Sequence, residues 1–188
     1  MKKNILLMII ALISVLIIAG CKNHRQAHHS DSAKTEDSAT AGGSDSTIYG
    51  VCGDGTAMHT IELITDAGDT INYLIDEDET EPVVKGGLFV GDRMAVIGHK
   101  GNGDCIATNV INLTALMGKW TSIDKNFEIL EGGTVKNYVK AETHPWTSWK
   151  IYNGKLVLSR DTFTIDNLGA DSLYLENHAG IFAFKRQK

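Results

Sequence analysis

Between Gly118 and Lys188 the chain alternates apolar and polar residues in short runs, and turn residues separate the runs. Alternation with a period of two places successive side chains on opposite faces of an extended strand and is incompatible with one apolar helix face. It predicts about eight strands, near 118–123, 127–130, 134–139, 147–152, 155–159, 161–166, 171–176 and 180–186. The links are tight: Glu131-Gly132-Gly133, Asn153-Gly154, Asn167-Leu168-Gly169 and Asn177-His178-Ala179-Gly180. Asn-Gly between apolar runs is a hairpin signal, because a type I′ turn needs positive φ at both central residues. Hairpins in series with no helical period form an antiparallel meander, which removes its edges by closing into a barrel.

The two faces differ as a barrel requires. One collects Trp120, Phe127, Ile129, Val135, Trp149, Ile151, Leu156, Leu158, Phe163, Ile165, Leu173, Leu175, Phe182 and Phe184. The other carries Lys119, Thr121, Glu128, Lys136, Lys150, Lys155, Thr162, Thr164 and Lys185, with Val157 and Tyr174 as apolar members. Each well-buried residue of the first set contributes roughly 1.5–3 kcal/mol, enough for a small core. With four Phe and two Trp turned inward on short strands, the expected interior is mostly filled, since eight strands enclose room for side chains or for one small ligand.

At Gly118-x-Trp120 on the first strand and Arg186 on the last, the segment resembles the lipocalin and calycin barrels. The resemblance implies that Trp120 closes one end of the barrel and that Arg186 packs across it; the two share parity with the inward face, so a cation–π contact is in reach. The runs GKW, FEILEGGTVKNY, WTSWKIYNGKLVLS and DTFTIDNLGADSLYLEN are also similar to small lipocalin-like domains of Gram-negative envelope lipoproteins. That likeness covers only the last ~70 residues and implies a non-enzymatic protein accepting a small apolar ligand at the barrel mouth.

The other end of the chain supplies an address. Lys2 and Lys3 precede an apolar run, Ile5 to Ala19, shorter than the ~20 residues of a spanning helix, which reads as a signal peptide over 1–20. Ile18-Ala19-Gly20-Cys21 fits the bacterial lipobox; that resemblance implies cleavage before Cys21 and lipidation of it, anchoring the protein to a membrane. Loss of Lys2 and Lys3 makes the formal charge of −5 more negative by two. An acidic chain argues against nucleic acid as a partner. Residues 21–46 read as the lipidated cysteine and a disordered linker rich in Ser, Ala, Thr, Asp, Gly and His, with a reach of roughly 25–30 Å. No acidic run follows Cys21, which points to the periplasmic face of the outer membrane rather than the cell surface.

Residues 47–114 read as a separate small β-barrel, OB-like or SH3-like, and 115–188 as the lipocalin-like barrel. The whole is all-β. The first barrel has about five strands, from TIYGV through MHTIELIT, TINYLI and RMAVIG to CIATNVIN. Cys52 and Cys105 lie at strand ends there. In an oxidising envelope they admit two readings, a disulfide or two free thiols.

Chemistry-bearing motifs are sparse. His24, His28 and His29 sit in the linker. Asp76 to Glu81 lacks the glycine and spaced glutamate of a calcium loop. Gly98 to Gly103 is glycine-rich, but no helix follows to cradle a phosphate. His59, His99, His144 and His178 are scattered, and no H-E-x-x-H or G-x-S-x-G occurs. We therefore expect no enzymatic activity, no cofactor and no metal. Lys140 to Trp146 is the longest break in the barrel and brings His144 and Trp146, with Trp149 close by, to one rim. Trp146 there is either an exposed anchor for a ligand or partner or a lid lying over the barrel end. Two functions follow: binding of a small apolar ligand at the mouth, or, with a filled barrel, docking of another envelope component.

Overall fold

The computed structural model describes residues 44–75 and 81–187. The expected signal peptide, Cys21, most of the linker with its histidines, and the acidic run 76–80 lie outside the described residues. The fold is all-β, as the alternation predicts, and consists of two barrels.

The first is built from β1 (Ile48–Cys52), β2 (Thr60–Thr65), β3 (Thr70–Ile75), β4 (Val84–Lys85), β5 (Arg93–Lys100) and β6 (Cys105–Asn112). β1, β2 and β3 form an antiparallel meander, β5 pairs with β1, β6 pairs with β5, and a parallel β3–β6 pairing closes the ring. This five-strand Greek-key closure is that of an OB barrel rather than an SH3 barrel. Short β4 adds to the outside of β6 in parallel. Cys52, Ile61, Leu63, Tyr73, Met94, Val96, Ala107 and Val110 fill the interior. The glycine-rich segment 101–104 is the β5–β6 hairpin tip.

A four-residue helix, α1 (Leu113–Leu116), joins the barrels. The Asn112 side chain caps it by accepting the Ala115 N–H at 2.8 Å. It is too short to show a helical period in the sequence.

The second barrel comprises β7 (Gly118–Thr121), β8 (Asn126–Leu130), β9 (Thr134–Asn137), β10 (Trp149–Tyr152), β11 (Lys155–Leu158), β12 (Asp161–Leu168), β13 (Ser172–Asn177) and β14 (Gly180–Arg186). All eight expected strands are present, in an up-and-down meander. β14 pairs back onto β7, and a single bridge, Thr134 to Ser148, brings β9 and β10 together, so the barrel is nearly closed. It is compatible with the lipocalin-like barrel expected. Asn153 and Gly154 at the β10–β11 turn both have positive φ, 48° and 71°, as the type I′ hairpin demands.

Twelve of the fourteen residues expected inside are buried. The exceptions have local causes. Trp149 is partly buried at the loosely bridged β9–β10 seam. Phe182 is 36% exposed because β14 pairs with β7 only through Lys185 and Arg186, so its first half stands clear of β7.

One apolar cluster runs between the barrels: Ala95 and Ile111 of the first and Leu113 and Leu116 of α1 pack with Trp120 and the second barrel's core. Polar ties reinforce it. The Tyr49 hydroxyl donates to the Ile151 carbonyl at 2.8 Å, Asn109 Nδ2 to Gly154 O at 2.9 Å, and buried Lys85 Nζ to Asp166 O at 3.0 Å. The last linker residues join in: Asp45 accepts the Asn153 N–H, and Ser46 donates to the Asn153 side chain.

Candidate functional site

The closed end of the second barrel gathers Gly118, Trp120 and Arg186. Trp120 is fully buried and donates from Nε1 to the Leu116 carbonyl at 2.9 Å, so the indole is held by the helix beneath it. The Arg186 guanidinium lies 4.1 Å from the Trp120 ring centre. It donates to Met117 O at 2.8 Å, to Ala170 O at 2.7 Å, and to Ala115 O. One planar fork thus serves carbonyls that α1 and the β12–β13 turn leave open. Gly118 has φ of 117°, and a Cβ there would stand 2.7 Å from an Arg186 terminal nitrogen. Glycine is required on both counts, which is the physical content of Gly-x-Trp here. This end is structural: each guanidinium nitrogen is used on the protein's own backbone.

The mouth is filled. Trp146, 6% exposed, turns into the barrel from the β9–β10 loop and meets Phe127, Phe163 and Phe184 edge to face, with ring centres 5.1, 5.6 and 6.2 Å away. Its Nε1 donates to Asp161 Oδ2 at 2.8 Å, and Lys125 Nζ lies 4.4 Å from its ring centre while pairing with Glu142. The exposed-anchor reading of Trp146 is therefore corrected; it is a plug held on its wet edge by a carboxylate and a cation. Strand parity gave no guide because Trp146 sits in a loop. His144 stays exposed at the rim, its Nδ1 3.0 Å from Thr143 Oγ1. Trp149 is not with them. It donates to Leu130 O at 2.7 Å and lines a cleft between the barrels, so the expected rim trio is divided.

The disulfide reading is corrected too: Cys52 and Cys105 are free. β1 and β6 are not neighbours in the sheet, being separated by β5 on one side and by β2 and β3 on the other. Strands two places apart are roughly 10 Å from one another, and a bridge needs Cα atoms within ~7 Å. The Cys52 thiol instead bonds Thr56 Oγ1 at 3.3 Å.

Two large open features stand out among the described residues. The first is a groove of about 890 Å³ beside β14, lined by the β7–β8 loop and by Tyr174, Ile181, Phe182 and Phe184. Ile123 at the tip of that loop is fully exposed, and Ile181 is 65% exposed. Sequence reasoning passed over Ile123, although an isoleucine inside the turn Ser-Ile-Asp-Lys is a visible signal. The second is the inter-barrel cleft of about 550 Å³. On its rim Arg93 holds Asp66 through both terminal nitrogens. Hydrogen bonding from Arg93 keeps the Asp66 carboxyl below its ordinary range, and Asp66 in turn raises Arg93. Burial pushes the Tyr49 phenol up, with Asp45 adding to it.

Among the described residues no three His, Cys, Asp or Glu side chains could hold a metal ion together. The chain matches no protein-family model, no curated protein and no solved structure. What the fold defines is a class, an OB-like barrel joined to a nearly closed eight-stranded antiparallel barrel.

Proposed function

We propose that the protein is a lipid-anchored envelope lipoprotein without enzymatic activity, and that its two-barrel body docks another envelope protein. The lipobox at Cys21 supports the anchor. One observation carries the docking reading: the second barrel spends its interior on its own side chains, Trp146 included, while its two most exposed large apolar residues, Ile123 and Ile181, lie outside in the groove beside β14. From Gly180 to Phe184 that strand has a neighbour on one side only among the described residues. An unpaired strand edge beside an apolar groove suits an extended partner segment, bound by main-chain hydrogen bonds and by apolar side chains in the groove.

The test is site-specific photo-crosslinking in the intact envelope. A crosslinker at Ile181 or Ile123 captures one protein, a crosslinker at Thr162 on a distant outer face does not, and Ile181→Glu abolishes capture at Ile123. Equal capture at all three positions sinks the reading. The groove volume also favours a second reading, a small apolar ligand seated in the groove beside β14 against Phe182. Native mass spectrometry of the protein from its source separates the two: a stoichiometric co-purifying small molecule selects the ligand.

A further inference from the structure

The main-chain groups on the free half of β14 follow from the ladder around it. Arg186 N–H donates to Asp171 O on the β13 side, and Gln187 N–H donates to Lys119 O on the β7 side. In an antiparallel ladder each residue turns its N–H and C=O to the same neighbour, and successive residues alternate. Lys185 therefore faces β7, where it pairs with Thr121, and Ala183 and Ile181 face the same way. The β7 pairing ends at Thr121, so among the described residues the N–H and C=O of Ile181 and Ala183 meet no strand on that side.

This edge is unguarded. Proteins blunt open strand edges with charge, proline or a bulge. Gly180-Ile181-Phe182-Ala183-Phe184 has no charged residue and no proline, and its pairing with β13 runs without a register shift. Ile181, Phe182 and Ala183 are all exposed. Between this edge and the β7–β8 loop lies the groove of about 890 Å³, open space for one more strand.

The edge is also complementary to itself. A second β14 can lie antiparallel on the free side with the two Phe182 residues opposite each other. Ile181 then exchanges both main-chain bonds with the partner's Ala183, and Ala183 with the partner's Ile181, so each open donor and acceptor is used. On the outer face each isoleucine falls across from an alanine, beside Tyr174, which pairs with Ala183 from the β13 side. Charge agrees with this register. Lys185 and Glu176 are exposed and form no salt bridge with a described residue. Glu176 pairs with Ile181, so the partner's Glu176 comes nearer to Lys185 than the chain's own Glu176 does. A twofold pairing of this kind consumes both edges and stops at a dimer.

We infer that β14 pairs with the β14 of a second copy of this chain, antiparallel about Phe182. The inference rests on the docking reading and names its partner.

The test follows the full chain in density-matched detergent by sedimentation velocity, each variant first shown to keep the wild-type circular dichroism spectrum. Wild type forms a dimer. Ala183→Pro removes an N–H that faces out of the sheet, where proline is tolerated, and weakens the dimer about tenfold or more through the lost hydrogen bonds. Cysteine pairing under oxidation reads the register independently. Phe182→Cys bridges to itself, since facing residues in such a pair hold their Cα atoms about 4.5 Å apart. Ile181→Cys alone does not, because its copies lie beyond the ~7 Å a disulfide spans, but mixed with Ala183→Cys it gives a crossed dimer. Wild type, with its own thiols, gives none of these bridges. A chain that stays monomeric at every concentration reached overturns the inference. So does a dimer that is indifferent to Ala183→Pro and lacks the Phe182→Cys bridge. If the chain is monomeric while a crosslinker at Ile181 still captures a different protein in the envelope, self-pairing fails and the docking reading stands; if nothing is captured either, both fail.

Discussion

Arg186 offers the sharpest test of how the second barrel is closed. Its guanidinium makes three hydrogen bonds to backbone carbonyls and stacks on Trp120. Hydrogen bonds involving a charged group are worth about 1.5–3 kcal/mol each when buried, and the cation–π contact about 0.5–2 kcal/mol. The side chain is only half-buried, so water replaces part of what is lost, and the simple sum overstates the effect. We expect Arg186→Ala to cost about 3–4 kcal/mol. Arg186→Lys is the more telling variant. It keeps the charge, but a lysine has no planar fork and reaches only one of the three carbonyls. It should lose about 2 kcal/mol, or roughly 4–8 °C of thermal midpoint for a unit of this size. Urea unfolding followed by tryptophan fluorescence measures both. If Arg186→Lys matches wild type within about 0.5 kcal/mol, the ordinary scatter of surface changes, the fork geometry carries no weight and the closed end needs nothing more than a positive charge.

Trp146→Ala should lose about 3 kcal/mol or more, as for other large aromatics removed from a core; a change under about 0.5 kcal/mol would return Trp146 to the exposed rim. Denaturing the protein with iodoacetamide and no reductant should label both Cys52 and Cys105, read by peptide mass; a peptide pair joined through those residues would refute the free thiols. Burial alone would raise the Asp45 carboxyl, but hydrogen bonds from Thr47 and Asn153 outweigh it, and with the charge of Lys150 they hold the group below its ordinary value. A depressed folded-state value stabilises above the unfolded pKa and is lost as pH falls through the folded one. The thermal midpoints of wild type and Asp45→Ala should therefore differ at neutral pH and converge below about pH 4; a constant gap across that range would exclude the carboxylate as the cause.

Much of the second barrel was legible in the sequence because period-two alternation is a local property. Each strand from β7 to β14 carries its own inside and outside, and Asn153-Gly154 announces its turn by chemistry alone. Alternation is silent wherever the chain leaves the ladder. Trp146 enters the barrel from a loop, so its place depends on the aromatic rings across the mouth. Phe182 has inward parity, yet its burial requires β7 to extend as far as β14 does, and a sequence does not state relative strand lengths. In the first barrel the strands could be read, but the choice of OB closure rests on β3 meeting β6 in parallel, a pairing between segments distant in sequence with no local signature. The disulfide reading failed for the same reason, since proximity of Cys52 and Cys105 depends on strand order. The inter-barrel cleft was invisible because its walls come from β1, α1 and β10.

The floor of the second barrel is not its own. Leu116, whose carbonyl receives Trp120, and two of the three carbonyls that receive Arg186 belong to the connector, and Ala95 and Ile111 beneath it belong to the neighbouring barrel. The halves are thus not interchangeable cassettes. A fragment starting at Gly118 would be a cup without a base, its most deeply packed tryptophan bared to water, and any recombination that carried this meander to a new host would have to bring the joint and a matching underside along with it.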